Sequence, residues 1–423
     1  MAVFMKTAAS RRARPGFRPP STRRWLPCRA FLLPIAVLLY LSAVTAASAQ
    51  DPPTWSSIGP YSSLCPGPAS CAYVRALAIR VTDQGSPTTL YAGLVQDNSN
   101  PPHPVWGVYQ KSDGSDWSAV NTGLPTDPDY PNSHPGVFAL AVDSGPPTTL
   151  YAALDSYDQE TVCNNLCGVF KWDDVNGTWV NTGAPTTFGF HALAVDQLTH
   201  TLYAGSSGGG VFQLDIGSGM WTNINDAGLT NLNVYALAFD PQSSTLYAGT
   251  KGGGVFRLGG SGWTNISTGM PNGSVVFSFA LDSTTFPSST LYAGTDHGGV
   301  FRLDPTGWTL INNGLPGWGP EIHTLAVDPR NSSRLWAGTF GGGLYLSTDG
   351  GNNWNENDTG ITDYYFHALA FDPLDLTTLY TGSCNAGVFV LPPSTPATHL
   401  ERAVMRFSRK LTSKPAAWVI DIE

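Results

Sequence analysis

The sequence predicts an all-β protein, a seven-bladed β-propeller of four-stranded antiparallel blades that is closed by the N-terminal strand. Three observations predict this fold. A strand-rich unit of about 45 residues recurs seven times along the chain. Composition favours strands and turns over long helices, because the 423 residues include 46 Gly and 33 Pro and only 13% are charged. The outer strand that is missing after the last unit is found instead near the N-terminus.

Each unit opens with an alanine-rich strand, which ends in Asp in six copies, and continues with a strand of the type TLYAG. The aromatic residue of this second strand falls at Tyr91, Tyr151, Tyr203, Tyr247, Tyr292, Trp336 and Tyr380. A third strand of the type GVF follows at Val108, Val169, Val211, Val255, Val300, Leu344 and Val388. Gly, Pro, Asp and Asn separate these short runs, and none has a helical period. One such sheet cannot bury both its faces alone, so the copies are expected to stack.

The fourth strand begins with tryptophan and is the element that closes the ring. It follows the third strand at Trp117, Trp179, Trp221, Trp263, Trp308 and Trp354, which is one copy too few. The run from Trp55 to Ile58 matches the run from Trp263 to Ile266 and precedes the first unit. We therefore predict that Trp55 begins the outer strand of the last blade and pairs with residues 386–391, which removes an open sheet edge. Trp418 is the alternative, but it lies much farther beyond the third strand.

Residues 1–49 differ from the rest and predict a signal peptide. They contain eight basic and no acidic residues, then an apolar run and the small-residue exit Ala47-Ser48-Ala49. A secreted or periplasmic location follows, with no stable membrane span after cleavage. Two alternatives stay open: an uncleaved anchor, and twin-arginine export, which the run from Thr22 to Leu26 loosely resembles. Removing the 8 basic residues from 22 leaves 14 against 31 acidic residues, a net charge of −17. Such a surface repels nucleic acid, so no nucleic-acid partner is expected.

Cysteine spacing agrees with export. Cys65 and Cys71 share one loop, and Cys163 and Cys167 share another, so two short disulfides are predicted. Zinc is the alternative for Cys163 and Cys167, but the sequence shows no second close pair that would complete four ligands. Cys384 is left over and is expected to be buried.

Residues 50–391 form the predicted propeller, and residues 392–423 fall outside the repeat. A Pro-, Ser- and Thr-rich linker leads to a stretch in which Leu400, Val404, Phe407 and Leu411 share one helical face. This basic amphipathic tail has two open interpretations: it docks on the acidic propeller, or it is a frayed end.

The run from Ser347 to Trp354 matches the Asp-box pattern S-x-D-x-G-x-x-W in full. With the TLYAG and GVF strands, it resembles the Asp-box (BNR-type) propeller repeats. That family includes sialidases, xyloglucanase-type glycoside hydrolases, sortilin-type receptors and photosystem assembly factors, which do unrelated things. The resemblance covers residues 54–391 and implies a propeller in which Asp349 belongs to a structural turn, away from the active face.

The resemblance leaves enzymatic activity uncertain, and we lean towards none. A sialidase needs an arginine trio, and the sequence shows none. Xyloglucanase-type enzymes use two facing propellers, and this chain has one. A glycosidase also needs two carboxyl groups across a cleft, for which Glu321 and Asp363 are the best available pair.

The copies differ most on one face of the predicted propeller, which we call the top face. The second-to-third connections and the fourth-to-first connections lie there, and they are longest in blades one and two. Aromatic and basic residues gather on the same face, and one residue precedes each inner strand around the channel mouth. The predicted ligand-binding residues are Arg75, Trp106, Tyr130, Tyr157, Phe190, His191, Tyr235, Trp318, His323, Tyr364 and His367.

These features favour an exported, non-catalytic propeller that binds a glycan or protein partner through its top face. The alternative is a glycoside hydrolase of the Asp-box type. We expect no cofactor, because the three histidines of the mouth come from blades three, six and seven and need not converge on a metal. A monomer is expected.

Overall fold

The structure is a computed structural model that describes residues 54–59, 73–81, 88–95, 107–126, 135–155, 163, 166–284, 289–317 and 319–392. These ranges hold 28 strands and no helix. Accordingly, the described part of the chain has no helix with the length and apolar character needed to cross a membrane. The predicted signal peptide, the loop of Cys65 and Cys71, and the tail with Trp418 lie outside the described residues.

The strands form seven four-stranded antiparallel sheets, and the protein is a seven-bladed β-propeller as predicted. Blade one contains β2 (Tyr73–Val81), β3 (Thr88–Val95), β4 (Gly107–Ser112) and β5 (Ser118–Ala119). Blade two contains β6 (Gly136–Asp143), β7 (Thr149–Asp155), β8 (Gly168–Asp173) and β9 (Thr178–Asn181). Blade three contains β10 (Phe190–Asp196), β11 (Thr201–Ser206), β12 (Gly210–Asp215) and β13 (Met220–Asn223). Blade four contains β14 (Val234–Asp240), β15 (Thr245–Thr250), β16 (Gly254–Gly259) and β17 (Gly262–Asn265).

The remaining blades repeat this order, and the last one is completed from the other end of the described chain. Blade five contains β18 (Val276–Asp282), β19 (Thr290–Thr295), β20 (Gly299–Asp304) and β21 (Gly307–Leu310). Blade six contains β22 (Ile322–Asp328), β23 (Asn331–Thr339), β24 (Leu344–Ser347) and β25 (Asn355–Glu356). Blade seven contains β26 (Phe366–Phe371), β27 (Leu379–Ser383), β28 (Val388–Leu391) and, as its outer strand, β1 (Ser56–Gly59).

The N-terminal strand closes the ring, as the tryptophan count predicts. In the antiparallel pair of β1 and β28, Ser56 lies opposite Val390 and Ser57 opposite Phe389. Trp55, just before β1, is 3% exposed and packs edge-on against Trp336 of blade six, with ring centroids 5.7 Å apart. The last blade therefore has no open outer edge at β28.

The tryptophans of the outer strands also join each blade to the one before it, a role that the repeat pattern alone does not show. Six donate their indole N–H to a backbone carbonyl of the preceding blade, and Trp221 donates to the hydroxyl of Thr182. The six carbonyls belong to Asn357, Ile58, Val120, Ile224, Ile266 and Ile311. Each ring thus fills the wedge between two blades while its polar atom is satisfied.

The core is divided among the seven interfaces between neighbouring blades. The interface between blades four and five is representative. There Ala236, Val255 and Met270 of one blade pack against Val276, Phe301 and Trp308 of the next. Six similar clusters serve the other pairs. Stability is therefore spread over contacts between neighbours, as in other repeat architectures.

The repeated acidic residues serve the turns on the other face, which we call the bottom face. The Asp that ends each inner strand from blade two to blade seven accepts a hydrogen bond from the backbone N–H two residues later. Asp349 behaves in the same way within its own turn. Its carboxylate accepts from the Ser347 hydroxyl and from both the backbone and side-chain nitrogens of Asn353, and the Asn353 bonds lower its pKa. These carboxylates are used for turn structure.

Candidate functional site

A cavity of about 740 Å³ lies at the top end of the propeller axis. Its walls include the residue that precedes the alanine-rich run of every inner strand. These seven residues, which we call the axial ring, are Arg75, Phe138, His191, Tyr235, Phe277, His323 and His367. Every blade thus contributes one side chain to the same site.

A β-bulge positions each member of the axial ring. In all seven blades the pairing of the inner strand with the second strand shifts register across that one residue. A bulged residue is released from the ladder, and its side chain can be aimed away from the sheet. The preceding residue stays in the sheet and is buried, as Val234 and Ile322 show at 0% exposure. A buried apolar residue followed by a bulged residue therefore defines the ring in the structure.

The ring members touch one another in an unbroken circuit. Aromatic contacts join consecutive members from Phe138 to His367, with ring centroids 4.4 to 6.2 Å apart. Arg75 completes the circuit, because its guanidinium lies 5.5 Å from the Phe138 ring centroid and 3.0 Å from Nδ1 of His367. Contacts of this kind hold side chains in defined positions, which favours a preformed site.

The hydrogen bonds around His367 assign its tautomer. The Arg75 guanidinium can only donate, so Nδ1 of His367 accepts, and the Nδ1–H of His323, 2.8 Å away, donates to the same atom. The proton of His367 is therefore on Nε2, which lies 3.1 Å from the sulfur of Cys384. Both imidazoles are neutral in this arrangement, in agreement with the lowered pKa of each.

Acidic and basic groups lie around the aromatic wall. Asp155 accepts a short hydrogen bond from Nε2 of His191. Glu321 places one carboxylate oxygen 3.4 Å from His323 and the other 3.5 Å from His297. The Lys251 ammonium lies 5.8 Å from the Tyr235 ring centroid. The cavity can therefore offer apolar ring surface together with donors and acceptors of both charges.

Acid is expected to destabilise the axial ring. Burial, together with the charge of Arg75, lowers the pKa of His323 to about 3 and that of His367 well below its ordinary value. An unfolded imidazole titrates near pH 6.5, so below that pH the unfolded chain binds protons that the folded chain excludes. The contribution of these two histidines to the free energy of unfolding is thus fully present above about pH 6.5. It falls as the pH drops towards 3, by up to about 1.4 kcal/mol per pH unit for each histidine.

Urea denaturation between pH 7 and about pH 4.5 tests this expectation. His323→Phe keeps a ring between Phe277 and Phe340 and should flatten the loss of stability towards acid. His297→Gln is the control, because the His297 side chain is 77% exposed. Equal pH dependence in wild type and His323→Phe would contradict the expectation.

The structure gathers five of the eleven predicted ligand-binding residues in the cavity: Arg75, His191, Tyr235, His323 and His367. Phe190 was predicted as a ligand contact, and the structure corrects this. It is the residue before the bulge and is 0% exposed, so its side chain does not face the cavity. Tyr364 is exposed but does not line the cavity. Trp106, Tyr130, Tyr157 and Trp318 lie outside the described residues.

The two carboxyl groups predicted as a catalytic pair, Glu321 and Asp363, do not share the cavity. Glu321 lines the cavity. Asp363 does not, and it is 4% exposed. Its oxygens accept hydrogen bonds from the backbone N–H groups of Tyr364, Tyr365 and Asn385. These bonds fix the turn before β26 and leave Asp363 no access to a substrate.

Several other residues of the cavity wall were not predicted from the sequence. Among them are Lys251, Asp296, His297 and Phe340. These four share a position in the repeat, since all belong to the connections between second and third strands in blades four, five and six. Phe138 and Phe277 occupy the position before the inner strand that was assigned to the channel mouth, but they were not predicted as ligand contacts. The bulge in each of these strands groups them with Tyr235.

One of the two predicted disulfides is present, between Cys163 and Cys167 in blade two. It lies beside Asp155 at the cavity. A second groove of about 860 Å³ occupies the bottom face between blades four, five and six. Its lining includes Arg257, the ion pair of Arg302 and Asp304, and Asp349. Three blades contribute to the lining of this groove, whereas all seven blades converge on the axial cavity.

The fold and the cavity together define a seven-bladed propeller with an aromatic axial site. No protein-family model and no curated protein matches the sequence. Solved structures of the same fold do. The extracellular domain of the hybrid two component system BT4673 from B. thetaiotaomicron aligns at a TM-score of 0.57 and 17% identity, over 80% of this chain and 39% of that one. The GH74 enzyme of Niastella koreensis aligns at 0.59 and 20%, over 81% of this chain and 54% of that one.

YCF48 from Cyanidioschyzon merolae is the third similar structure, with a TM-score of 0.55 and 11% identity. The match covers 81% of this chain and 100% of that one. By contrast, this chain spans less than two thirds of the BT4673 domain and of the GH74 enzyme. At these identities the likeness shows the propeller fold alone, and a propeller hosts many functions.

Proposed function

We propose that this protein is an exported binding propeller, which holds part of a glycan or protein partner in the axial cavity of its top face. The observation that supports it most is the circuit of the axial ring around a cavity of about 740 Å³. A cavity of this size with aromatic walls and a few fixed polar groups is typical of ligand sites. Aromatic side chains also give large contact area at low entropic cost.

The similar structures are compatible with this proposal. They include an extracellular domain of a two component system, and a YCF48 structure is described as bound to a D1 peptide. Export itself is supported by the sequence of residues 1–49 and by the disulfide between Cys163 and Cys167. The proposal includes a monomer with no nucleic-acid partner, in keeping with the acidic composition of the chain beyond residue 49.

A glycan array and a displayed peptide library, each probed with the mature chain, test the proposal. Tyr235→Ala and Phe277→Ala should weaken binding of the selected oligosaccharide or peptide by about 5- to 150-fold, because each removes about 1 to 3 kcal/mol of aromatic contact. Arg257→Ala, in the bottom groove, is the matched control and should bind as wild type. Loss of binding in the control but not in the cavity variants would overturn the choice of site.

A glycoside hydrolase is the second candidate, and Glu321 is the observation that favours it. This residue lines the cavity with its carboxylate between His297 and His323. Product analysis on the oligosaccharides that bind should show no hydrolysis if the protein only binds. Turnover by wild type that Glu321→Gln abolishes would establish the enzyme and contradict the non-catalytic proposal.

A further inference from the structure

The disulfide of blade two lies beside a buried carboxylate. Cys163 and Cys167 are 5% and 0% exposed, and Asp155, at the end of β7, is 8% exposed. Both sulfur atoms lie 3.7 Å from Oδ1 of Asp155. One ligand atom from each of the three residues falls within 4.8 Å of the other two. Two sulfurs and one carboxylate oxygen thus share a small, enclosed volume.

His191 of blade three holds the other oxygen of this carboxylate. Its Nε2 bonds Oδ2 of Asp155, and its side chain is 7% exposed. Gly189 lies against the same carboxylate, where a Cβ atom on residue 189 would come within 1.8 Å of Cγ of Asp155. The carboxylate is therefore fixed in orientation, with Oδ1 directed at the sulfurs and Oδ2 at the imidazole.

Among the described residues, the ion-pair partner of Asp155 is the imidazole of His191, and no lysine or arginine pairs with this carboxylate. An ionised group taken out of water needs a compensating charge or several hydrogen bonds. The disulfide supplies neither. A metal ion held between Oδ1 and the two sulfurs would supply the compensating charge.

We propose that the reduced form of this loop is a zinc site with Cys163, Cys167 and Asp155 as ligands. Zinc takes thiolate and carboxylate ligands in tetrahedral sites, and three protein ligands leave one position for water. His191 is a positioning residue, because its bond to Oδ2 keeps Oδ1 towards the metal. The sequence shows no second close cysteine pair beside Cys163 and Cys167. Asp155 provides the third ligand from the end of β7, and His191 orients Asp155 without binding the metal.

The conversion of the disulfide into the zinc-bound form balances in charge and electrons. An external dithiol gives two electrons and two protons to the disulfide, which becomes two thiols, and the dithiol becomes a disulfide. Zinc then displaces the two thiol protons to solvent. The assembly of Zn²⁺, two thiolates and one carboxylate carries one negative charge, as the carboxylate does beside the intact disulfide. The same buried surroundings therefore suit both states.

Cobalt serves as a visible probe of this site in the full chain. After reduction with a phosphine without oxygen, Co²⁺ should bind at one equivalent with a thiolate-to-cobalt absorption band, and Zn²⁺ should remove the band. The oxidised chain should show no band. Absence of the band in the reduced chain would overturn the proposal.

Variants identify the ligands. Cys163→Ser and Cys167→Ser should abolish the band, and Asp155→Asn should weaken cobalt affinity at least tenfold. His191→Gln should weaken affinity while the band keeps its intensity, as expected of a positioning residue. The matched control changes Cys65 and Cys71 to Ser and should keep the band. A band that persists in Cys163→Ser, or disappears only in the control, would overturn the assignment, and circular dichroism verifies the fold of each variant.

Discussion

Trp55→Ala is expected to lower the free energy of unfolding by about 3 to 5 kcal/mol, the range for removal of a buried aromatic side chain. The variant loses the edge-on contact with Trp336 and the bond from the indole N–H to the carbonyl of Asn357, 2.9 Å long. Both interactions join the closing strand β1 of blade seven to blade six. Urea denaturation followed by fluorescence and circular dichroism measures it.

Trp55→Phe keeps an aromatic ring in the wedge but removes the hydrogen bond and part of the buried ring. The cost should therefore be smaller than that of Trp55→Ala, with about 1 kcal/mol of it from the bond itself. Deletion of residues 50–60 should cost more than either substitution, because β28 then loses its partner. Wild-type stability in Trp55→Ala would show that the closing strand contributes little.

Gly314→Ala is expected to destabilise the protein by about 3 kcal/mol. Gly314 has a φ of +94°. A Cβ atom there would lie 2.1 Å from the carbonyl oxygen of Trp354, which precedes the outer strand of blade six. Backbone cannot move aside as a flexible side chain can, and Trp354 itself bonds to the carbonyl of Ile311. Denaturation of the variant measures the loss.

Gly317→Ala is the matched control for this prediction. It lies three residues further along the same connection, and a Cβ atom there would meet nothing within 4 Å. It should leave stability within about 0.5 kcal/mol of wild type. Equal stability of both variants would show that the connection yields and that the close approach to Trp354 is not a constraint.

The fold was predictable because its signals are local and repeated seven times. The TLYAG and GVF strands, the turn aspartates and Trp55 each occupy the places that the repeat assigns to them. The bond from each tryptophan to the blade before it was not predictable. It depends on the distance between separate sheets, which no single repeat encodes.

The candidate site was predictable in part. Position within the repeat correctly placed His191, Tyr235 and His323 at the mouth. The same reasoning failed for Phe190, which differs from its neighbour His191 only by the bulge that turns one side chain inwards and the other towards the axis. Hydrophobic patterning does not locate bulges, because a bulge shifts register by one residue.

Asp363 shows a second limit of sequence reasoning. An acidic residue in a connection on the top face has the residue type and the position expected of a catalytic group. Its oxygens are instead occupied by backbone N–H groups, including that of Asn385 from 22 residues further along the chain. Such occupation depends on the path of two connections, and residue type alone does not reveal it.

The closure at β1 also fixes an order of events during synthesis. Trp55 is made early, and its hydrogen-bond acceptor in Asn357 follows only after 302 more residues. Until β28 exists, the first strand has no sheet to join, while each intermediate blade can pair its own four strands as they appear. Contacts between such distant residues form slowly, because a long loop must close first. The nascent chain is therefore an open arc for most of its synthesis, and its ring closes as a late, separate step.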